Sequence, residues 1–296
     1  MKNVLKKPYV FGIIYGILLT LATGYVLLDT FVIPENIKTS ESIKNAVSEV
    51  NSSEGKYSDK AYKDENISIS IEENREYDTT IYVVDVKLKD ISQLKTAFAD
   101  NTYGRNIKDT TSEMAESNNA ILAINGDYYG FRKSGYVLRN GTLYRNTSNN
   151  NEDLAVMSDG TFKIFNESSV KAEDLEKEGT LQIFSFGPSL MNDGEISVDK
   201  NEEVSNAMRS NPRTAIGMIS PLHYKIIVAD GRTKDSTGLT LYQLAQLFKE
   251  QGCTVAYNLD GGGSTTLWFN GKVINNPTDG RSMKEREVSD IVYIGY

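Results

Sequence analysis

Pairs of Asn or Asp followed by Gly recur between short apolar runs, and this recurrence limits the fold more than any other feature. Asn140-Gly141 separates Tyr136-Val137-Leu138 from Leu143-Tyr144, and Asp159-Gly160 separates Leu154-Ala155-Val156-Met157 from Phe162-Lys163-Ile164-Phe165. Asp193-Gly194 and Asn270-Gly271 repeat the arrangement. Such pairs adopt positive φ readily and close tight turns whose twist matches that of antiparallel strands. Hairpins in series imply antiparallel sheet rather than repeated βαβ units. Ile67, Ile69 and Ile71 alternate with Ser68, Ser70 and Glu72, the period of a half-buried strand. Further strands are expected at 81–88, 120–124 and 288–294. Thr110-Thr111-Ser112-Glu113 has the capping-box form and starts a short helix through Ser117. The clearest helix is 240–251, where Leu241, Leu244, Ala245 and Phe248 share one face and Gly252 stands as terminator. The reading is one α+β domain over 66–296, mainly antiparallel sheet with few helices.

Ahead of that domain, residues 9–28 carry no charge and are mostly apolar, about the length that crosses a hydrocarbon core. Lys2, Lys6 and Lys7 precede the run, so the expectation is a cytoplasmic tail (1–8), a transmembrane signal anchor (9–28) and an extracytoplasmic remainder. A cleaved signal peptide is the rival reading, disfavoured by the length of the run and the lack of an Ala-x-Ala site. Residues 29–65 are rich in Ser, Glu, Lys and Asn and read as a polar stalk, with a short helix around 40–50.

The formal charge of −8, with no dense Lys/Arg cluster beyond the first seven residues, argues against a nucleic-acid partner. A single cysteine, Cys253, excludes an intramolecular disulfide and a Cys-based zinc cluster. His223 is the only histidine, so a multi-His site is excluded as well. Any divalent cation would be held by oxygen ligands.

Four polar loops stand where strands end. Asn125-Gly126-Asp127-Tyr128-Tyr129 offers an amide, a carboxylate and rings that suit a sugar, or else a plain Asx turn. In Asn211-Pro212-Arg213-Thr214-Ala215-Ile216-Gly217, Arg213 shares a strand face with Ala215 and Gly217, which leaves open space beside a guanidinium suited to phosphate; a structural ion pair is the alternative. Asp230-Gly231-Arg232 ends an apolar strand. In Asn258-Leu259-Asp260-Gly261-Gly262-Gly263-Ser264-Thr265-Thr266, one acid precedes three glycines and three hydroxyls, so Asp260 is open to acid/base, nucleophile or metal-ligand roles. The N–H groups that follow it are candidates for an anion nest. Neither a Walker lysine nor a G-x-S-x-G elbow is present.

Together with Phe186-Gly187-Pro188-Ser189-Leu190 and Arg286-Glu287-Val288-Ser289-Asp290, these loops resemble, in order and composition, the phosphodiester glycosidase family. That family includes uncovering-enzyme-like domains and bacterial exopolysaccharide-associated proteins. The resemblance covers about 80–296, with Asp127 standing where many members carry a second glycine. It implies hydrolysis of sugar-1-phosphodiesters, and with the expected anchor the substrates would be cell-surface glycans or glycopolymers. Asp260, Asp230 and Asp127 would then be the candidate catalytic acids. Asn125, Tyr128, Arg213, Thr214, Arg232, Gly261, Gly262, Gly263, Ser264, Thr265 and Arg286 would bind substrate. Two other readings remain: a glycan-binding surface protein using Tyr128, Tyr129 and Trp268 as platforms, and a metal-dependent phosphoesterase with Asp ligands.

Overall fold

The computed structural model describes residues 8–36, 55–201 and 210–296. The expected cytoplasmic tail, save its last residue, and the expected helix around 40–50 lie outside the described residues. An apolar helix, Pro8–Phe31, leads into antiparallel sheets, as the turn pairs predict. Asn140, Asp193 and Asn270 all take positive φ, each followed by a positive-φ glycine.

The largest sheet has nine strands. At its centre Arg213–Ser220 pairs with His223–Ala229 on one side and Val255–Asn258 on the other; Thr79–Leu88 and Ile67–Glu76 extend it outward. Ile67, Ile69 and Ile71 are buried while Ser70 and Glu72 are exposed, so the period-2 pattern sets the face. The hairpin of Lys56–Ser58 and Ala61–Lys63 adds to the edge. The sheet therefore recruits residues ahead of 66, because Tyr62 buries its ring and donates its hydroxyl to Asp64 (2.6 Å).

A five-stranded sheet packs over one face of the large one. Its order is Lys272–Val273, Leu267–Phe269, Leu122–Asn125, Asp290–Ile294 and Leu94–Phe98, all antiparallel. Ile216, Val228, Tyr257, Ile124, Leu267 and Val292 meet between the layers. A second five-stranded sheet, with Val137–Arg139 and Glu152–Met157 among its strands, abuts the same core.

The other face of the large sheet is covered by the helix Leu241–Glu250. Thr240 caps it, accepting from Gln243 N while the Gln243 side chain accepts from Thr240 N, and Gly252 follows at φ +76°. Phe248 sits fully buried above Gly217, where a Cβ would come within 2.7 Å of its ring. Burying such a side chain contributes roughly 2–3 kcal/mol. This contact corrects one sequence inference. The small residues beside Arg213 do not leave open space; they admit Phe248 and Cys253. A similar short helix, Thr111–Ser117, is capped by Thr110 and lays Met114 and Ala115 on the outside of the smaller sheet.

Candidate active site

A cleft of about 620 Å³ opens where three loops meet. Asp127, Tyr128 and Phe131 come from the loop after Leu122–Asn125, and Asp260 and Ser264 from the glycine-rich loop. Asp279, Lys284, Arg286 and Ser289 come from the segment that enters the last strand. Of the residues nominated from sequence, Asp127, Tyr128, Asp260, Ser264 and Arg286 line this cleft.

Asp260 is one of the acids that line it. Its Oδ1 accepts from the N–H of Gly261 (2.9 Å). Burial pushes the carboxyl up to about 6, against the pull of the Ser264 hydroxyl, the Arg286 charge, the Gly261 N–H and the Arg132 charge. A carboxyl poised near neutrality in a cleft is suited to moving a proton.

The glycines have a task different from the expected one. Gly262 N donates to Pro212 O (2.9 Å), Ser264 N to Gly261 O (3.2 Å) and Thr265 N to Gly262 O (3.3 Å). With Gly261 N on Asp260, the loop turns these donors inward rather than toward a ligand. What the missing side chains provide is room for two guanidiniums. A Cβ on Gly262 would fall 2.7 Å from Arg232 Nη2, and one on Gly263 would overlap the guanidinium of Arg286. Gly262 also sits at φ +60°, which an L side chain disfavours. Arg232 is held by Asn211 Oδ1, which accepts from Nε (3.1 Å) and Nη2 (3.0 Å). Asp279 Oδ1 does the same for Arg286, at 2.8 and 2.7 Å. Burial and the neighbouring Arg286 charge both lower the pKa of Arg232. Two cations held side by side against mutual repulsion have the chemistry to bind a phosphate, and of the two Arg286 lines the cleft while Arg232 stands behind the loop.

Asp127 is engaged otherwise. It is 3% exposed and paired with Arg139 (3.0 Å), which also pairs with Asp290 (2.8 Å). Its two oxygens accept from Tyr129 N (3.0 Å) and Ser185 N (3.1 Å). A carboxylate so saturated is a structural post at the cleft wall rather than a proton carrier. Burial raises the pKa of Asp290 while Arg139 draws it down. Gly126 exists to admit that group, since a Cβ there would strike the Asp290 carboxylate.

Nine nominees lie outside the cleft lining: Arg232 and the three glycines, already described, and Asp230, Arg213, Thr214, Thr265 and Asn125. Asp230 is buried and accepts from Asn275 Nδ2 (3.2 Å), Asn276 N (2.9 Å) and Asn276 Nδ2 (3.0 Å), so it latches the loop that leads to Asp279. Arg213 is 3% exposed and its Nε donates to Leu239 O (2.9 Å). Thr214 donates to Asn125 Oδ1 (2.8 Å), and Thr265 is buried. Asn125 is a clasp: its Oδ1 also accepts from Thr266 N (3.2 Å), and its Nδ2 donates to Asp260 O (2.7 Å). It thereby ties both sheets to the loop that carries the acid.

Residues the sequence reading missed include Asp279, Arg132, Arg139, Lys108 and Lys284. Asp279 begins another Asp-Gly turn, and Arg139 is an arginine closing an apolar strand, the mark of a buried ion pair. Among the described residues, no group of three or more His, Cys, Asp or Glu side chains stands ready to hold a metal ion.

Comparison with known proteins identifies the family. Residues 118–295 match the family model described as phosphodiester glycosidase. The chain belongs to that family. It is 33% identical over 202 residues to an uncharacterized SPbeta prophage-derived protein, YomE, of Bacillus subtilis, covering 66% of this chain and 31% of that one. It is 27% identical over 186 residues to human N-acetylglucosamine-1-phosphodiester alpha-N-acetylglucosaminidase, covering 57% of this chain and 36% of that enzyme. The matched region thus spans about a third of the length of these curated relatives. The catalytic domain of the zebrafish enzyme, auto-inhibited by its pro-peptide, superposes with a TM-score of 0.62 at 23% identity, covering 78% of this chain and 83% of that one. A hypothetical protein from Synechocystis follows at 0.58 and 15%, covering 78% of this chain and 62% of the other. These structural likenesses establish the shared fold.

Proposed function

We propose that this chain is a membrane-anchored extracytoplasmic hydrolase that cleaves sugar-1-phosphodiesters in cell-surface glycans or glycopolymers. The observation that carries the reading is Asp260, a carboxyl held near pKa 6 beside two arginines that the glycine-rich loop admits. In the proposed step, Arg286 seats the phosphate, with the charge of Arg232 behind the loop, and the Asp260 carboxylate takes a proton from a water. The water oxygen bonds to the anomeric carbon. The bond from that carbon to the phosphate oxygen breaks, its electron pair leaving with a phosphomonoester. Phosphate is a weak base and leaves without strong acid assistance, which is consistent with Asp127 being locked to Arg139. Stabilising the developing charge matters more, and fixed cations do that well.

Anchoring rests on Tyr9–Phe31, whose mean hydropathy of 2.0 and lack of any buried residue in its apolar window fit a membrane span. The rival reading of a sugar-binding surface loses two of its three platforms, since Tyr129 and Trp268 are buried. Tyr128 alone faces out, stacked on Phe131 at 4.6 Å.

The test uses the detergent-solubilised full chain and an N-acetylglucosamine-1-phosphodiester in ¹⁸O water. Label should appear in the free sugar, with a phosphomonoester as the other product. Asp260→Asn should slow turnover by about 10²–10⁴-fold with an unchanged melting temperature. Label in the phosphate, or loss of turnover in chelator, would instead indicate a metal-dependent phosphoesterase.

A further inference from the structure

The apolar helix is fastened to the wall of the cleft. Asn106, in the left-handed region at φ +57°, donates its side-chain amide to Asp29 O (3.4 Å), Thr30 O (3.2 Å) and Ile33 O (3.0 Å). These carbonyls belong to the end of the helix Pro8–Phe31 and the turn after it, groups with no partner of their own inside the helix. The backbone N–H of the same Asn106 donates to Gly130 O (3.2 Å), in the loop that carries Tyr128 and Phe131 into the cleft. Glu35–Asn36 then pairs with Gly104–Arg105, reinforced by Arg105 Nη1 on Glu35 Oε2 (2.9 Å). Gly104 leaves room for that strand, because a Cβ there would overlap Glu35 O.

Distance along the chain does the rest. Lys108 lines the cleft, and its Cα lies at most about 7 Å from that of Asn106, two peptide units away. The hydrocarbon-spanning stretch ends at Phe31. Lys284 lines the same cleft as Lys108, and beside it Met283 is 64% exposed with Arg281 also exposed. Cations flanking an exposed apolar side chain suit the headgroup layer of an anionic bilayer.

Resting on the activity and anchoring proposed above, we infer that the cleft is held at the membrane surface and takes a glycosyl phosphodiester whose phosphate carries a lipid chain. A cleft on a free stalk would sweep through solvent and meet soluble and membrane-bound esters alike. Fastened through Asn106, it meets those confined to the bilayer at high effective concentration.

The test compares two esters of N-acetylglucosamine 1-phosphate, one hexadecyl and one methyl, on the full chain in phosphatidylcholine–phosphatidylglycerol vesicles. The hexadecyl ester should be preferred in kcat/KM by on the order of 10²-fold. Asn106→Ala combined with Arg105→Ala should erase most of that preference while methyl-ester turnover, the control for folding, stays within about twofold. Equal use of both esters by the unaltered chain, or a preference that survives the double substitution, would overturn the inference. Failure to turn over either ester would count against the proposed activity instead. The position of the cleft is then read without turnover, from energy transfer between a fluorophore on Lys284→Cys and a headgroup-labelled lipid. Transfer should fall in the double variant, and unchanged transfer would overturn the inference by itself.

Discussion

Two arginine–carboxylate groups flank the cleft, and they are built for opposite purposes. Arg139 is 2% exposed, pairs with both Asp127 and Asp290, and also donates to Leu138 O and Ile183 O. Arg286 has a side chain 42% exposed and, among the described residues, is held along one edge by Asp279. Each pairing has its own glycine: Gly126 admits Asp290, and Gly263 admits Arg286. The first glycine faces a group that cannot move; the second faces the far end of a flexible side chain. Buried ion clusters hold a structure in one arrangement, whereas a half-held guanidinium keeps capacity for a ligand.

Substitution should separate the two groups most sharply at the arginines. Arg139→Leu leaves two buried carboxylates without their cation and should cost about 3–5 kcal/mol, seen as a melting temperature lower by roughly 10 °C. Arg286→Leu should change stability by less than about 1 kcal/mol and yet remove most turnover. Gly263→Ala should push the guanidinium away and lower kcat/KM by about 10–100-fold without moving the melting temperature. Gly126→Ala should show the reverse, a destabilised fold, because Asp290 has nowhere to go. If both alanines act on stability alone, the division drawn here fails.

Smaller effects concern protons. With Asp260 acting as base, kcat/KM should rise with pH through about 6, where its carboxyl loses its proton. Arg286 favours the carboxylate, so Arg286→Gln should move that limb to higher pH, by up to about one unit. Asp153, outside the cleft, is pushed up to about 9 by burial first and then by the charge of Glu167. A carboxyl that holds its proton more firmly when folded adds stability below its unfolded value near 4. That stability is lost as pH rises through about 9. The melting temperature should therefore decline over that range, and Asp153→Asn should flatten the decline. A limb near 6 that persists in Asp260→Asn would dissociate the pH dependence from this acid.

The fold was legible in the sequence where local chemistry decides it. The apolar face of the helix Leu241–Glu250, the start of the helix Thr111–Ser117 at Thr110 and the Asn-Gly turns act over a few residues and form as read, although Glu113 accepts from the Thr110 hydroxyl instead of closing a capping box. Alternation at Ile67–Glu76 chose the buried face of its strand. The site was legible only as a set of loops. Which loop residues face the cleft depends on contacts between residues 89 or more positions apart, such as Thr214 on Asn125 and Asn125 on Asp260. Nothing local distinguishes Asp230, which latches Asn275 and Asn276, from Asp260, which faces the cleft. Likewise the glycine run signals close approach, and only the fold reveals that the approaching groups are Arg232 and Arg286.

The Asn125 clasp bears on how the protein ages. In an open chain, Asn followed by Gly is prone to lose ammonia: the glycine nitrogen closes on the side-chain amide carbon and forms a succinimide. Here Gly126 N donates to Asp290 O (2.9 Å), and both ends of the Asn125 amide are held. The ring cannot close while the domain is folded. Each opening exposes the pair, and the acid it would yield would place a new negative charge against the backbone of Asp260 and beside Thr214. Protection of this Asn-Gly pair thus depends on how rarely this one corner of the domain comes apart.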